Sequence, residues 1–194
     1  MYTSNGGLSP KGLCAQIKED KSGLVWSLQA GRHTISNGRW AIRLDELPAE
    51  VRAVLHSRFA AEPSEGTHLS LLRGKVGTGC GTPGLDRFWE REAGMPAQQT
   101  ALLMETEGER YRIFRCGGSF IYVAERHLRG LAAPSLAEAD ASEWKGIWRL
   151  RFREADYLVA SRAPAEADET QEGFMRELLE PGMIGAPSKL RGEA

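Results

Sequence analysis

The sequence predicts an α+β fold, built as an antiparallel, hairpin-rich sheet with two or three short helices and an acidic C-terminal tail. Three observations carry that expectation. Short segments with alternating side chains recur along the chain, glycine-containing turns separate them, and helical spacing is confined to brief stretches. Segments joined by tight turns pair antiparallel, whereas a parallel sheet needs long crossovers.

Taken in order, residues 1–10 are rich in Ser, Asn and Gly and read as a loose start, and residues 11–20 are mixed. Residues 24–28 read as a first strand after the turn at Ser22-Gly23. Residues 34–36 and 39–43 flank Asn37-Gly38, a pair that accepts positive φ at both positions and so predicts a type I′ hairpin. Pro48 suits a first helical turn, and Val51, Val54, Leu55 and Phe59 follow at helical spacing, which predicts a helix over 48–60. Residues 68–72 read as a strand, 74–84 as a glycine-rich loop, and 85–92 as a short helix. Strands at 100–104 and 110–116 join through Glu107-Gly108-Glu109, and Gly117-Gly118 turns the chain into 120–123. A helix over 125–131 follows, then a hairpin of 144–153 with 157–161, turning at Glu154-Ala155. This single domain spans 1–162. Residues 163–194 read as an acidic linker, a short amphipathic helix over 173–180 with the apolar stripe Phe174, Met175, Leu178 and Leu179, and a disordered tail.

At 194 residues, 41% hydrophobic and 26% charged with a net charge of −1, the composition is that of an ordinary globular protein. No apolar run approaches the roughly 18 residues of a membrane span. The opening residues lack the basic and apolar regions of a secretory leader, so the expectation is cytoplasmic. Cys14, Cys80 and Cys116 lie far apart, without the paired spacing of a zinc site or a disulfide framework.

Arginine outnumbers lysine 19 to 6, and it recurs with period two on three candidate strands. Arg39 and Arg43 flank Trp40-Ala41-Ile42, Arg110 and Arg112 bracket Tyr111, and Arg149, Arg151 and Arg153 alternate with Trp148, Leu150 and Phe152. Side chains on a strand point alternately to its two faces, so the pattern sets guanidinium groups against aromatic and aliphatic ones. These seven arginines are the candidate binding residues, suited to phosphate or carboxylate partners. Trp40, Tyr111 and Trp148 would be available for base stacking.

The run from Thr34 to Arg43, followed by Leu47-Pro48-Ala49-Glu50-Val51-Arg52, resembles a group of small uncharacterised phage and prophage proteins. In them a Ser-Asn/Asp-Gly hairpin precedes an LPxEV helix. Ile121-Tyr122-Val123 with Leu128 and Leu131 matches a later segment of that group, while the closing segment from Leu158 to Arg162 departs from its usual Leu-Pro-Val-Arg. A faint repeat, residues 37–45 against 117–125, is distantly similar to one module of bacterial DNA sliding clamps. The resemblance implies a phage-like α+β binding protein and transfers no functional residue.

Chemistry-bearing motifs are sparse. Gly79-Cys80-Gly81-Thr82-Pro83-Gly84 fits GxGxxG literally, but its strand ends early and its helix is short. His68, Cys80 and Asp86 flank the same loop as a nominal nucleophile set. With no catalytic, metal or cofactor residue assigned, the sequence reads as a non-enzymatic binding protein. Its expected partner is a protein or protein–nucleic-acid complex of nucleic-acid metabolism or host defence. The alternatives are a direct single-stranded nucleic-acid binder and a small nucleotide-dependent enzyme using loop 74–84.

Overall fold

The computed structural model describes residues 7–21, 23–81, 89, 94–106, 108–132, 139–144 and 147–161, with backbone only at 139, 140, 143 and 144. The expected acidic tail with its helix at 173–180 lies outside these residues, as does most of the expected helix at 85–92.

Helix α1 (Pro10–Glu19) starts where Ser9 accepts a hydrogen bond from the Gly12 N–H at 3.2 Å and Pro10 occupies the first turn. The sequence alone assigns no element to this stretch. Its inner face is only Leu13, Cys14, Gln16 and Ile17, with a glycine and a buried glutamine blurring the stripe. Gly12 is required because a Cβ there would run into the Arg129 carbonyl. Helix α2 (Ala49–Phe59) begins after Pro48 and buries Val51, Val54, Leu55 and Phe59, as the spacing predicts.

The strands are β1 (Leu24–Gln29), β2 (Arg32–Ser36), β3 (Trp40–Leu44), β4 (Thr67–Leu72), β5 (Lys75–Cys80) and β6 (Met95–Thr106). They continue with β7 (Glu109–Cys116), β8 (Ser119–Ala124), β9 (Ala139–Trp144), β10 (Ile147–Phe152) and β11 (Tyr157–Ala160). All join one sheet in the order β5-β4-β1-β2-β3-β11-β10-β9-β6-β7-β8. Every neighbouring pair is antiparallel. The α+β, antiparallel architecture is therefore as the sequence predicts. The last described strand, β11, sits in the middle of the sheet and joins β3 to β10.

Both helices pack on one face. A continuous core runs from Leu69 on β4 through Trp26, Ile35, Trp40, Phe152 and Tyr157 to Phe114 and Val123, with Leu13, Ile17, Leu55 and Phe59 supplied by the helices. A register shift in β6 between Gln99 and Leu103 marks a bulge, which bends a strand locally. Beyond it, Tyr111, Ile113, Phe120 and Tyr122 form a second buried cluster on the opposite face of β7 and β8.

Several local expectations change. Asn37-Gly38 does turn the chain between β2 and β3, but only Gly38 has positive φ, at 82°. The turn is held instead by the Asn37 side chain, whose Oδ1 accepts from the N–H groups of Arg39 (2.8 Å) and Trp40 (3.0 Å). It is an Asx-type turn with glycine inside it, not type I′. Two-residue turns with positive φ at both positions occur at Ala30-Gly31 and Arg73-Gly74. The glycine-rich stretch is not a loop through Cys80, because residues 75–80 pair with β4 over six registers. The helix expected over 125–131 is a 3₁₀ turn at Glu125–His127. Strand β9 was not foreseen as separate from β10.

A buried polar cluster ties β11 to α1 and to the chain after β8. The Tyr157 hydroxyl donates to the His127 carbonyl at 2.7 Å and accepts from Gln16 Nε2 at 2.7 Å. Gln16 Oε1 in turn accepts from the Gly130 N–H at 3.0 Å. Burial pushes the Tyr157 pKa far up, so the hydroxyl stays a donor. Elsewhere in the core, the Trp26 indole N–H donates to His33 Nδ1 at 3.2 Å, which requires that nitrogen to be unprotonated.

Two predictions follow from these contacts. Gly38→Val forces a β-branched residue into positive φ and should lower stability by about 1 kcal/mol or more, read by denaturant unfolding. Burial lowers the His33 pKa, Arg52 adds to the effect and Glu62 opposes it. The unfolded chain thus binds this proton at higher pH than the folded one. Stability is full above about pH 6.5 and falls as acid is added below it. Tm measured from neutral to mildly acidic pH should decline, and His33→Asn should flatten the decline. An unchanged slope would assign it to other groups.

Candidate functional site

On the face of the sheet away from the helices, β3, β11 and β10 present a lattice fixed by strand register. Ala41, Leu158 and Arg151 lie in one cross-strand row. Arg39 and Arg149 flank Ala160 in the next, where the Ala160 N–H bonds to the Arg39 carbonyl at 2.7 Å. The core-facing partners on the same strands are Trp40, Ile42, Val159, Leu150 and Phe152. The alternation read from the sequence therefore puts Arg43, Arg149 and Arg151 on one face of one sheet, whereas Arg39 precedes β3 in the turn and lines a groove with Gln16 and Glu19 of α1. Arg153 also departs from the alternation. The strand ends at Phe152, and Arg153 opens the 3₁₀ turn Arg153–Ala155 as an exposed residue.

The lattice is not a bare basic plate. Arg43 Nε pairs with Asp156 at 2.7 Å and Arg151 Nη2 with the same carboxylate at 3.1 Å. Asp156 reaches both because it follows that 3₁₀ turn in a left-handed conformation, φ 45°. Trp89, only 4% exposed, packs on Ala41 and Leu158. The Arg43 guanidinium lies 4.9 Å from its ring centroid, and Arg151 Nη1 donates to its carbonyl at 2.9 Å. Sequence reading missed both Trp89 and Asp156 as companions of the arginines. The available signal for Trp89 was a large aromatic standing off any periodic stripe.

Arg43, Arg151 and Arg153 border an open groove of about 390 Å³, where Asp45, Glu154 and Asp156 balance them. Arg110 and Arg112 lie elsewhere, on the core-side parity of β7 beside the 3₁₀ turn Glu125–His127. Arg112 pairs with Glu125 at 2.7 Å, and Arg110 lies 3.5 Å from Glu125 and 3.6 Å from Glu105. Arg149 is half-buried and makes contacts of its own. Arg39 is different. It is exposed and borders a groove of about 520 Å³ with Lys21, Arg126, Asn37 and Trp40, a groove that Glu19 and Asp20 also line, and among the described residues neither Arg39 nor Lys21 makes an ion pair with a carboxylate.

Trp40 and Tyr111 are 2% and 6% exposed, and Trp148 packs against the core, so their rings are committed to the interior. Gly79 and Cys80 are strand residues, and the Gly81 N–H bonds to the Gly66 carbonyl at 2.8 Å; residues 82–84 lie outside the described set. Cys80 faces Thr67 while His68 faces Gly79, so thiol and imidazole point to opposite sides of the hairpin. Asp86 lies outside the described residues. Cys14 and Cys116 are buried, and burial is the main cause raising their thiol pKa values, which disfavours thiolate. Among the described residues, no three metal-ligating side chains cluster. No described helix is long and apolar enough to cross a membrane.

Compared with protein-family models, curated proteins and solved structures, the chain matches none.

The shared carboxylate gives a testable asymmetry. Asp156→Asn keeps a residue that tolerates positive φ but removes the charge between Arg43 and Arg151, and should cost about 1–3 kcal/mol. Arg39→Glu, at an exposed position, should change stability by about 0.5 kcal/mol or less. Equal losses in the two variants would show that the ion pairs do not organise this face.

Proposed function

We propose that the protein is a non-enzymatic binding protein that engages an acidic surface on a macromolecule of nucleic-acid metabolism or host defence. The partner is a protein or protein–nucleic-acid complex. One observation carries the reading: among the described residues Arg39 and Lys21 stand exposed and make no ion pair, although Glu19 and Asp20 line the same groove, while Arg43, Arg110, Arg112 and Arg151 each hold a carboxylate. Internally paired arginines stiffen a surface, and uncompensated ones are left to meet an anionic partner. The resemblance of residues 34–52 to small phage and prophage proteins supports the same reading. Burial of Trp40 and Tyr111 favours a protein surface over stacked bases.

Fluorescence anisotropy with a labelled oligoglutamate peptide and a labelled oligothymidine tests the proposal. The peptide should bind weakly and more weakly as salt rises, and Arg39→Glu with Lys21→Glu should reduce its affinity at least about tenfold without lowering Tm. Tight, salt-resistant oligothymidine binding would favour the single-stranded nucleic-acid reading. Peptide binding unaffected by the two substitutions would move the site elsewhere.

A further inference from the structure

Strand β5 ends the sheet opposite β8, and every residue of it except Gly79 is exposed. Natural edge strands are shielded by charge, proline, bulges or a covering element. Residues 75–80 carry one charge, at Lys75 beside the turn, no proline, and an unbroken register with β4. Val76 is 46% exposed.

Register determines which backbone groups this edge presents. The pair Leu72–Lys75 closes the two-residue turn Arg73-Gly74, and such a closing pair is hydrogen-bonded in an antiparallel hairpin. Hydrogen-bonded pairs then alternate through Ser70–Gly77 and His68–Gly79, consistent with the bond from the Gly81 N–H to the Gly66 carbonyl. Lys75, Gly77 and Gly79 therefore spend their N–H and C=O groups on β4. The intervening residues Val76, Thr78 and Cys80 aim theirs outward, away from the sheet.

We infer that β5 pairs antiparallel with β5 of a second copy of this chain, about a two-fold axis at Thr78. That register matches all three outward-facing residues: Thr78 opposes Thr78 of the second copy, and Val76 opposes Cys80 in both directions. Each such pair exchanges two N–H···O bonds. Gly77 opposes Gly79, and Lys75 opposes Gly81, so no like charges meet. The side chains of Val76, Thr78 and Cys80 lie on the same side as Leu69 and Leu71, so the pairing extends the core-facing side of the sheet across the axis. A closed two-fold is also the commonest way for identical chains to associate.

A six-residue strand pair belongs with small interfaces, about 1,200 Å² or less, that form reversibly. Sedimentation equilibrium of the full chain, from about 10 to about 500 µM, should show a monomer–dimer equilibrium. Thr78→Pro removes only an outward N–H, so Tm should hold while dimerisation weakens at least about tenfold. Val76→Lys with Cys80→Lys should weaken the dimer by repulsion, and Val76→Lys with Cys80→Asp should restore it. A monomer at every concentration overturns the inference. So does a dimer indifferent to Thr78→Pro and to the charge swap, which would place the contact elsewhere.

Discussion

The sheet depends on where β11 goes. Without it, β1–β5 and β6–β10 are two groups of strands joined through sequence but sharing no ladder. β11 inserts between β3 and β10, and Tyr157 at its start is fully buried. Its ring stacks on Trp40 at 6.1 Å and meets Phe152 edge-on at 6.5 Å, so one side chain touches a strand from each group. Its hydroxyl reaches α1 through Gln16 and the chain after β8 through His127. A buried hydroxyl without partners would be costly, so this position also fixes how α1 sits over the sheet.

The same insertion creates the outer lattice. Arg43 and Arg151 belong to strands that do not bond to each other, and only β11 between them brings both to Asp156. The outcome differs from a simple basic face. Where the turn before β11 supplies a carboxylate, the guanidinium groups are neutralised and hold Trp89. At the opposite end, by the Asn37–Trp40 turn, Arg39 keeps its charge toward solvent. Folding constraints thus divide these arginines into the paired Arg43 and Arg151 and the exposed Arg39.

The legible parts of the fold were those written in local chemistry. The α2 stripe, the strand alternation at β3 and β10 and the turn at Gly117-Gly118 all depend on neighbouring residues, and the structure has them where expected. α1 was obscured because its buried face includes Gln16, whose burial makes sense only beside Tyr157, 141 residues away. β5 was obscured because Gly77 and Gly79 suggest a loop, yet Gly79 is small to admit the His68 ring on the paired strand. The arginine period placed Arg43, Arg149 and Arg151 on one face, but not Arg39, Arg110, Arg112 or Arg153. It could not reveal Asp156 or Trp89, which arrive from other segments and decide which of those charges remain uncompensated.

Native-state hydrogen exchange at the β11 amides tests most directly whether this strand joins the two groups. Amides in a cooperative core exchange only through global unfolding, whereas peripheral elements open at lower free energy. Ala160, bonded to Arg39 across the β3–β11 seam, should exchange at the same free energy as the amides of β2 and β10. Exchange of the β11 amides at a clearly lower free energy, with β1–β3 and β7–β8 still protected as separate units, would contradict this.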